Sequence, residues 1–196
     1  MRALRRTTIA ALLPFSVFVA GCGGGERQDA NEPKGSFAVE VSEAKFPEKQ
    51  ALAQATELSI IVKNNDSKPL PDVAVTVNSF SKASEQAGLA DSQRAVWIVD
   101  RGPVGGETAY VNTWALGALG AGESKTFTWK VTAVQAGKHE VTYKVSPGLD
   151  GKATAADPDA ASGAFNVDIS NKPVQARVDP ETGKVIRGEG ARASGK

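Results

Sequence analysis

The sequence has few of the side chains that carry most protein chemistry. It contains one cysteine, one histidine and one methionine among 196 residues. A single cysteine excludes an internal disulfide, and these counts leave little for a soft-metal site. Catalysis by a Ser/His/Asp or Cys/His set needs a histidine beside the nucleophile, and His139 is the only one in the chain. Because His139 lies beside Gly137 at the start of an alternating segment, a strand-end residue is favoured over a general base.

The chain also lacks an excess of charge of either sign. It has 23 lysines and arginines against 22 aspartates and glutamates. This balance disfavours a strongly basic nucleic-acid-binding surface. If residues 1–21 are removed, three arginines and no acids are lost, so 20 bases remain against 22 acids and the formal charge is −2. Such a surface indicates no electrostatic target.

No apolar run is long enough to cross a bilayer, which needs about 20 residues. The longest stretch of this kind, residues 9–19, is interrupted by Pro14. Arg2, Arg5 and Arg6 precede it, and small residues follow it. A positive segment, a short apolar segment and small residues are the three parts of an export signal, which we assign to residues 1–21.

The end of this signal, Val19-Ala20-Gly21-Cys22, resembles the lipobox of bacterial lipoproteins. The resemblance implies signal cleavage between Gly21 and Cys22, a diacylglycerol on the Cys22 thiol and often an acylated new amino terminus. An ordinary secretory signal with an incidental cysteine is disfavoured, because the only cysteine of the chain falls at this position. Since two acyl chains hold a protein stably on a membrane, we expect a cell-membrane protein anchored on the extracytoplasmic face.

The rest of the chain divides by composition into a tether, a domain and a tail. Residues 22–35 hold the lipidated cysteine and a glycine-rich, polar segment. This segment buries too little to fold and has a reach of roughly 20 Å. A folded domain is predicted over residues 36–170. In the tail, residues 171–196, the turn residues 179–184 could pair Val178 with Val185 before a disordered end.

Alternation of apolar and polar residues dominates the predicted domain. Between residues 114 and 145 it indicates two strands, interpreted as a β-hairpin broken at Gly137. About seven or eight such strands and the absence of a convincing long helix predict an all-β, antiparallel Ig-like β-sandwich. The inward residues of the central pair are Phe127, Trp129, Val131, Val141, Tyr143 and Val145.

Two segments of this domain resemble bacterial cell-surface Ig-like modules of the CARDB-like group. They are VKNNDSKPLPDVAVTV, residues 62–77, and LGALGAGESKTFTWKVTAVQAGKHEVTYKV, residues 116–145. The resemblance implies the Ig-like fold but no particular activity, because one fold hosts many functions. Residues 82–106 form a longer loop than the resembled modules have at this place. A binding specificity particular to this protein would lie in this insertion.

Three aromatic residues flank the insertion, namely Trp97, Tyr110 and Trp114. If exposed, they would suit a sugar ring or a protein hot spot. The alternative is that they cap one end of the core, and the position of Trp97 inside an apolar run favours it.

Paired carboxylates for glycoside chemistry, or a calcium site, would have to come from turn aspartates. Asp150, Asp157 and Asp159 lie close in sequence, but such residues usually bond their own backbone and the spacing matches no EF-hand loop. We therefore expect no metal, no cofactor and no catalytic residue.

The sequence thus predicts a non-catalytic interaction or structural module of the bacterial cell envelope. Its expected partners are the membrane, through Cys22, and an envelope protein or glycan, with no nucleic acid. The alternative is a small-ligand or carbohydrate receptor that binds through Trp97, Tyr110 and Trp114. Exposure of these three side chains would distinguish the alternative from the first hypothesis.

Overall fold

The computed structural model of the protein describes residues 32–78, residue 80 and residues 95–187. Several predictions lie outside the described residues. They are the signal over residues 1–21, the cleavage site at Gly21, the lipidated Cys22, the tether up to residue 31, residues 82–94 of the insertion and the tail from residue 188.

Fourteen β-strands lie in the described residues, and these residues contain no helix. The first seven are β1 (Gly35–Phe37), β2 (Val39–Lys45), β3 (Lys49–Ala51), β4 (Ala55–Asn64), β5 (Ala74–Val77), β6 (Trp97–Arg101) and β7 (Glu107–Tyr110). The remaining seven are β8 (Thr113–Ala115), β9 (Ser124–Ala133), β10 (Gly137–Ser146), β11 (Ala153–Ala155), β12 (Ser162–Ser170), β13 (Ala176–Val178) and β14 (Val185–Arg187). Within this part of the chain, no helix is long and apolar enough to span a membrane.

Two sheets form the body of the molecule. One has six strands in the order β3-β12-β10-β5-β8-β7, and the other has four in the order β2-β4-β9-β6. Their neighbours are antiparallel except for β3 and β12, which are parallel. The smaller pairs are parallel β1–β11 and antiparallel β13–β14. The predicted all-β sandwich is confirmed, and short edge strands of three residues explain why it has more strands than expected.

The central hairpin prediction is wrong in its pairing. β9 pairs with β4 and β6, whereas β10 pairs with β12 and β5 in the other sheet. Residues 134–136 therefore carry the chain across the sandwich. The inward faces were nevertheless correct, because Phe127, Trp129 and Val131 are buried on one sheet and Val141, Tyr143 and Val145 on the other. Alternation identifies the buried face of a strand but does not identify its neighbour.

Aromatic rings fill the space between the sheets. Trp129 lies at the centre, stacked on Phe127 at 5.9 Å and edge-on to Trp114 at 5.5 Å between ring centroids. Phe80 contacts both Trp114 and Trp129. Ring pairs at such distances add to the stabilisation that comes from burial. Because no disulfide exists, this apolar packing holds the two sheets together.

The two ends of the sandwich are fastened differently. We call one end the 147–153 end. There β4 ends at Asn64, and the Asp72 amide donates to Pro147 O at 3.3 Å. At the other, which we call the Trp97 end, Trp97 pairs with Ala133. β9 runs from the first end to the second, a distance of about 30 Å at 3.3 Å per residue.

The described chain begins with a segment that is packed on the domain. Residues 32–35, which the sequence analysis placed in the tether, lie against the loop of residues 147–153. Gly35 donates its amide to Lys152 O at 3.1 Å and opens β1, which pairs with β11. Glu32 is 8% exposed although it is charged and stands at the start of the described residues. The polar composition of this segment gave no sign of such burial.

Candidate functional site

The three aromatic residues that flank the insertion have different environments. Trp97 is fully buried and Trp114 is 8% exposed, whereas Tyr110 is 48% exposed. The structure therefore does not present the three rings as one exposed platform. Trp97 and Trp114 belong to the core, as the alternative interpretation expected of them, and Tyr110 lies outside it.

Trp97 is held by a polar contact that the sequence analysis did not identify. Its indole N–H donates to Gln50 Oε1 at 2.8 Å, and Gln50 donates in turn to Pro47 O at 2.9 Å. Thr56 donates to the same Gln50 oxygen at 3.4 Å. Gln50 is 4% exposed. Because buried polar groups need hydrogen-bond partners, these contacts satisfy its side-chain amide. The contact fixes the Trp97 ring at the edge of the four-stranded sheet.

An apolar groove of about 470 Å³ lies beside this ring, between β6 and the β7–β8 turn. We call it the edge groove. Its floor is formed by Phe80, Trp97 and Trp114, and its rim by Ile98 and Val111. These two rim residues are 54% and 64% exposed. Exposed aliphatic side chains around an apolar recess are typical of a surface that binds a partner.

The edge groove also lies beside the strands that end the two sheets in the part of the chain that the structure describes. β6 is the last strand of the four-stranded sheet, and β7 is the last strand of the six-stranded sheet. An edge strand has backbone N–H and C=O groups that no neighbouring strand satisfies, and another chain can pair with them. The pairing of β6 with β9 shifts register between Val99 and Arg101. This bulge interrupts the regular pairing of β6 at the end that lies away from the groove.

A second, polar cleft of about 510 Å³ lies on the six-stranded sheet at the Trp97 end. Asp168 pairs with Lys49 on one side and with Lys138 on the other, and Glu48 and Glu140 also line the cleft. The two lysines are thus matched by three carboxylates. Opposite charges on neighbouring strands stabilise a sheet. This stabilisation is sufficient to explain the arrangement of lysines and carboxylates in the cleft.

His139 lies at the end of this cleft and is half-buried. Its ring packs edge-on against Trp97 with 5.8 Å between centroids, and Nε2 lies 3.3 Å from Ala136 O. These contacts are those of a strand-end residue that covers the core. The polar contact of its ring is thus with a backbone carbonyl group.

The turn aspartates act on their own backbone. Asp157 Oδ1 accepts the amides of Asp159 and Ala160 at 3.0 and 3.2 Å, and Asp150 Oδ1 accepts that of Lys152 at 2.8 Å. Among the described residues, no group of three or more His, Cys, Asp or Glu side chains is arranged to hold a metal ion. The geometry of these aspartates is that of ordinary turns.

Comparison with known proteins gives similarities at the level of structure alone. No protein-family model matches the chain, and no curated protein sequence matches it. The solution structure of a CARDB domain from Pyrococcus furiosus matches with 18% identity and a TM-score of 0.45, covering 71% of this chain and 99% of that chain.

Two further structures illustrate the range of the matches. A crystal structure of the same CARDB domain in complex with di-metal ions has 19% identity and a TM-score of 0.44, covering 70% of this chain and 94% of that chain. Native Escherichia coli alpha-2-macroglobulin has 17% identity and a TM-score of 0.42, covering 71% of this chain and 7% of that chain. CARDB domains, the group that the two sequence motifs resemble, are therefore among the solved structures similar to this chain.

Proposed function

We propose that the protein is a lipid-anchored, extracytoplasmic Ig-like module that acts as a non-catalytic interaction component of the bacterial cell envelope. The observation that carries the interaction role is the edge groove, an apolar recess with an exposed aliphatic rim beside β6 and β7, the last strands of the two sheets among the described residues. The lipobox motif that ends at Cys22 supports the anchor. Two or more acyl chains on this residue would hold the module on the membrane.

The buried polar side chains support a role without catalysis. In the described residues these are Glu32, Gln50, Thr56 and Asn64. All four are hydrogen-bonded to groups that hold loops and strands in place. The polar cleft at the Trp97 end does bring charged groups together, but its lysines and carboxylates face one another across neighbouring strands as pairs that stabilise the sheet.

The partner that fits the edge groove best is an extended segment of an envelope protein with large apolar side chains. Such a segment would pair its backbone with β6 and place alternate side chains over the floor of the groove. A sugar fits less well, because stacking needs an exposed ring face. Trp97 and Trp114 offer little such surface, and only Tyr110 is half-exposed. The geometry therefore favours a protein partner over a carbohydrate.

The anchor is tested in cells by fatty-acid labelling of the wild type and of Cys22→Ser. We expect label in the wild type only, recovery of the wild type in the membrane fraction, and its digestion by protease added outside the cytoplasmic membrane. A wild type that carries no label would overturn the anchor, whatever the groove binds.

The groove is tested by substituting its rim. Val111→Lys places a charge at the groove, and Thr126→Lys places the same charge on the exposed outer face of β9. Cross-linking in intact cells should give an adduct with wild type and Thr126→Lys but not with Val111→Lys, at equal Tm. The same adduct in all three proteins would remove the groove as the binding surface.

A further inference from the structure

The β13–β14 hairpin, the last described element of the chain, is shaped by its own turn. Asp179 Oδ1 accepts the amides of Glu181 and Thr182 at 2.9 and 3.0 Å. Just before the hairpin, Val174 donates its amide to Leu52 O at 2.9 Å, which joins the base of the hairpin to the end of β3. Because an isolated two-stranded hairpin is marginally stable in water, a surface that covered this hairpin would stabilise it.

The hairpin exposes a pair of apolar side chains. Val178 and Val185 lie opposite each other and are 63% and 53% exposed. Side chains of directly paired residues lie on the same face of a sheet, so the two valines form one apolar surface. The edge groove has the matching property, since its rim residues Ile98 and Val111 are more than half exposed. One chain thus carries both an exposed apolar strand pair and an apolar recess.

Charge distinguishes the hairpin from the rest of the domain. Residues 171–187 contain four bases and two acids, whereas residues 32–170 contain 13 bases and 17 acids. One of these acids, Asp100, lies on the outer face of β6. Its Oδ2 accepts the hydroxyl of Thr132 at 2.6 Å, and Thr132 pairs with Ile98 across the sheet. The outer face of β6 therefore presents an aliphatic side chain and a carboxylate close together.

The sequence of β14 complements this face of β6. Lys184 and Ile186 are two residues apart, with Val185 between them. Ile98 and Asp100 have the same separation in β6. In an antiparallel pair, this spacing places the lysine opposite the carboxylate when the two isoleucines lie opposite each other. Val185 then points to the other face of the sheet, on which β6 borders the floor of the groove.

We propose that the edge groove binds the β13–β14 hairpin of a second copy of this chain, with β14 added to β6. This inference rests on the proposed function of the groove as an interaction surface, and it names the partner. Backbone pairing docks the hairpin, the two exposed valines cover the groove floor, and Lys184 faces Asp100. The hairpin of one copy and the groove of the other are different surfaces, so each contact can be broken from either side.

The test measures self-association of residues 22–196 by analytical ultracentrifugation, with Cys22→Ser so that neither lipid nor a disulfide joins two copies. Val111→Lys places a charge at the groove, and Val185→Asp places one on the hairpin. Each should weaken association by at least about tenfold, because a charge replaces an aliphatic side chain that the contact would bury. Both positions are exposed in the single chain, so circular dichroism should show a retained fold. Lys144→Asp, at an exposed position of β10, is the control and should associate like the wild type.

Two recovery experiments identify the contact. An equal mixture of the Val111→Lys and Val185→Asp chains should associate more strongly than either chain alone, because the first retains its hairpin and the second its groove. Lys184→Asp should weaken association by about two- to fivefold, as expected for a charge pair on neighbouring strands. Adding Asp100→Lys to the same chain exchanges the two charges and should restore association.

A wild-type chain that stays monomeric up to about 1 mM overturns the inference. Association that Val111→Lys and Val185→Asp leave unchanged also overturns it, as does failure of both recovery experiments. Binding of a monomeric chain to phosphatidylglycerol vesicles would assign the basic hairpin to a lipid surface instead of a second copy. If the chain is monomeric but the adduct in cells is still lost in Val111→Lys, the proposed function stands and the partner is a different protein.

Discussion

Asn64 offers the sharpest test of how the 147–153 end of the sandwich is held. Its side chain is fully buried, and Nδ2 lies at 2.8, 3.0 and 3.0 Å from the carbonyl oxygens of Lys68, Leu119 and Gly120. Oδ1 accepts the Asp66 amide at 2.8 Å. One amide group thus joins the loop that follows β4 to the loop that precedes β9. The sequence motif NND marks this position.

Asn64→Ala leaves these partners without their hydrogen bonds, and the Leu119 carbonyl is buried. Each bond contributes about 1 kcal/mol net, and an orphaned buried carbonyl costs about 1–3 kcal/mol. Since Lys68 and Asp66 are partly exposed, water can replace some of the lost contacts. We therefore expect the free energy of unfolding to fall by about 3–4 kcal/mol. For a domain of this size that corresponds to a Tm lower by about 10 °C.

The assay is urea unfolding followed by tryptophan fluorescence, which reports on the core because the three tryptophans are buried. Asn64→Asp should be more destabilising than Asn64→Ala at pH 7, because a buried carboxylate would face three carbonyl oxygens with no donor between them. Asn166→Ala, at an exposed position of β12, is the matched control and should change stability by no more than about 0.5 kcal/mol. A loss below about 1 kcal/mol in Asn64→Ala would refute the reasoning.

Three further predictions concern the core, the tryptophans and acid stability. Gly163→Ala should lower the free energy of unfolding in urea by about 1–3 kcal/mol, because the added Cβ would lie 2.3 Å from the Tyr143 hydroxyl oxygen. Adding Tyr143→Phe to the same chain should recover part of this loss. Wild-type stability of the Gly163→Ala variant would contradict the packing. Acrylamide should quench native tryptophan fluorescence weakly, and strong quenching would contradict the burial of Trp97, Trp114 and Trp129. The amide of Ala38, followed by those of Lys68 and Ser67, lowers the pKa of Asp66 from 3.8. The stability that these hydrogen bonds contribute is complete above the pKa of Asp66 in the unfolded chain and is lost as the pH falls through its lower pKa in the folded protein. Asp66→Asn should therefore make the free energy of unfolding depend less on pH on the acid side. An unchanged pH dependence would count against the bonds.

The sequence predicts the buried faces of the long strands because each face repeats every second residue. In β4, for example, Leu58, Ile60 and Val62 alternate with polar or less buried residues and are fully buried. The pairing of β9 with β10 was predicted wrongly, because two strands with facing apolar surfaces have the same pattern whether they lie side by side or in opposite sheets. Residues 134–136 contain no Asn-Gly or Asp-Gly turn, and that absence was the available sign against a tight hairpin.

The site was less predictable than the fold, because its contacts join residues far apart in the chain. The apolar neighbours of Trp97 in sequence favoured a position in the core, where the structure places it. Gln50, which holds it, lies 47 residues away in a short polar segment. No local pattern separates this glutamine from an exposed one. The edge groove likewise depends on which strands lie at the sheet edges, and alternation carries no information about strand order.

The edge groove exposes the protein to unwanted association with other chains, and this risk argues that the groove has a function. A free edge strand beside exposed aliphatic side chains is a site for unwanted pairing with other chains, which proteins usually cover or interrupt with charge. Here the charged residues Asp100 and Arg101 lie at the far end of β6, beyond the groove, and Asp100 is hydrogen-bonded to Thr132 at 2.6 Å. Ile98 and Val111 are more than half exposed beside β6.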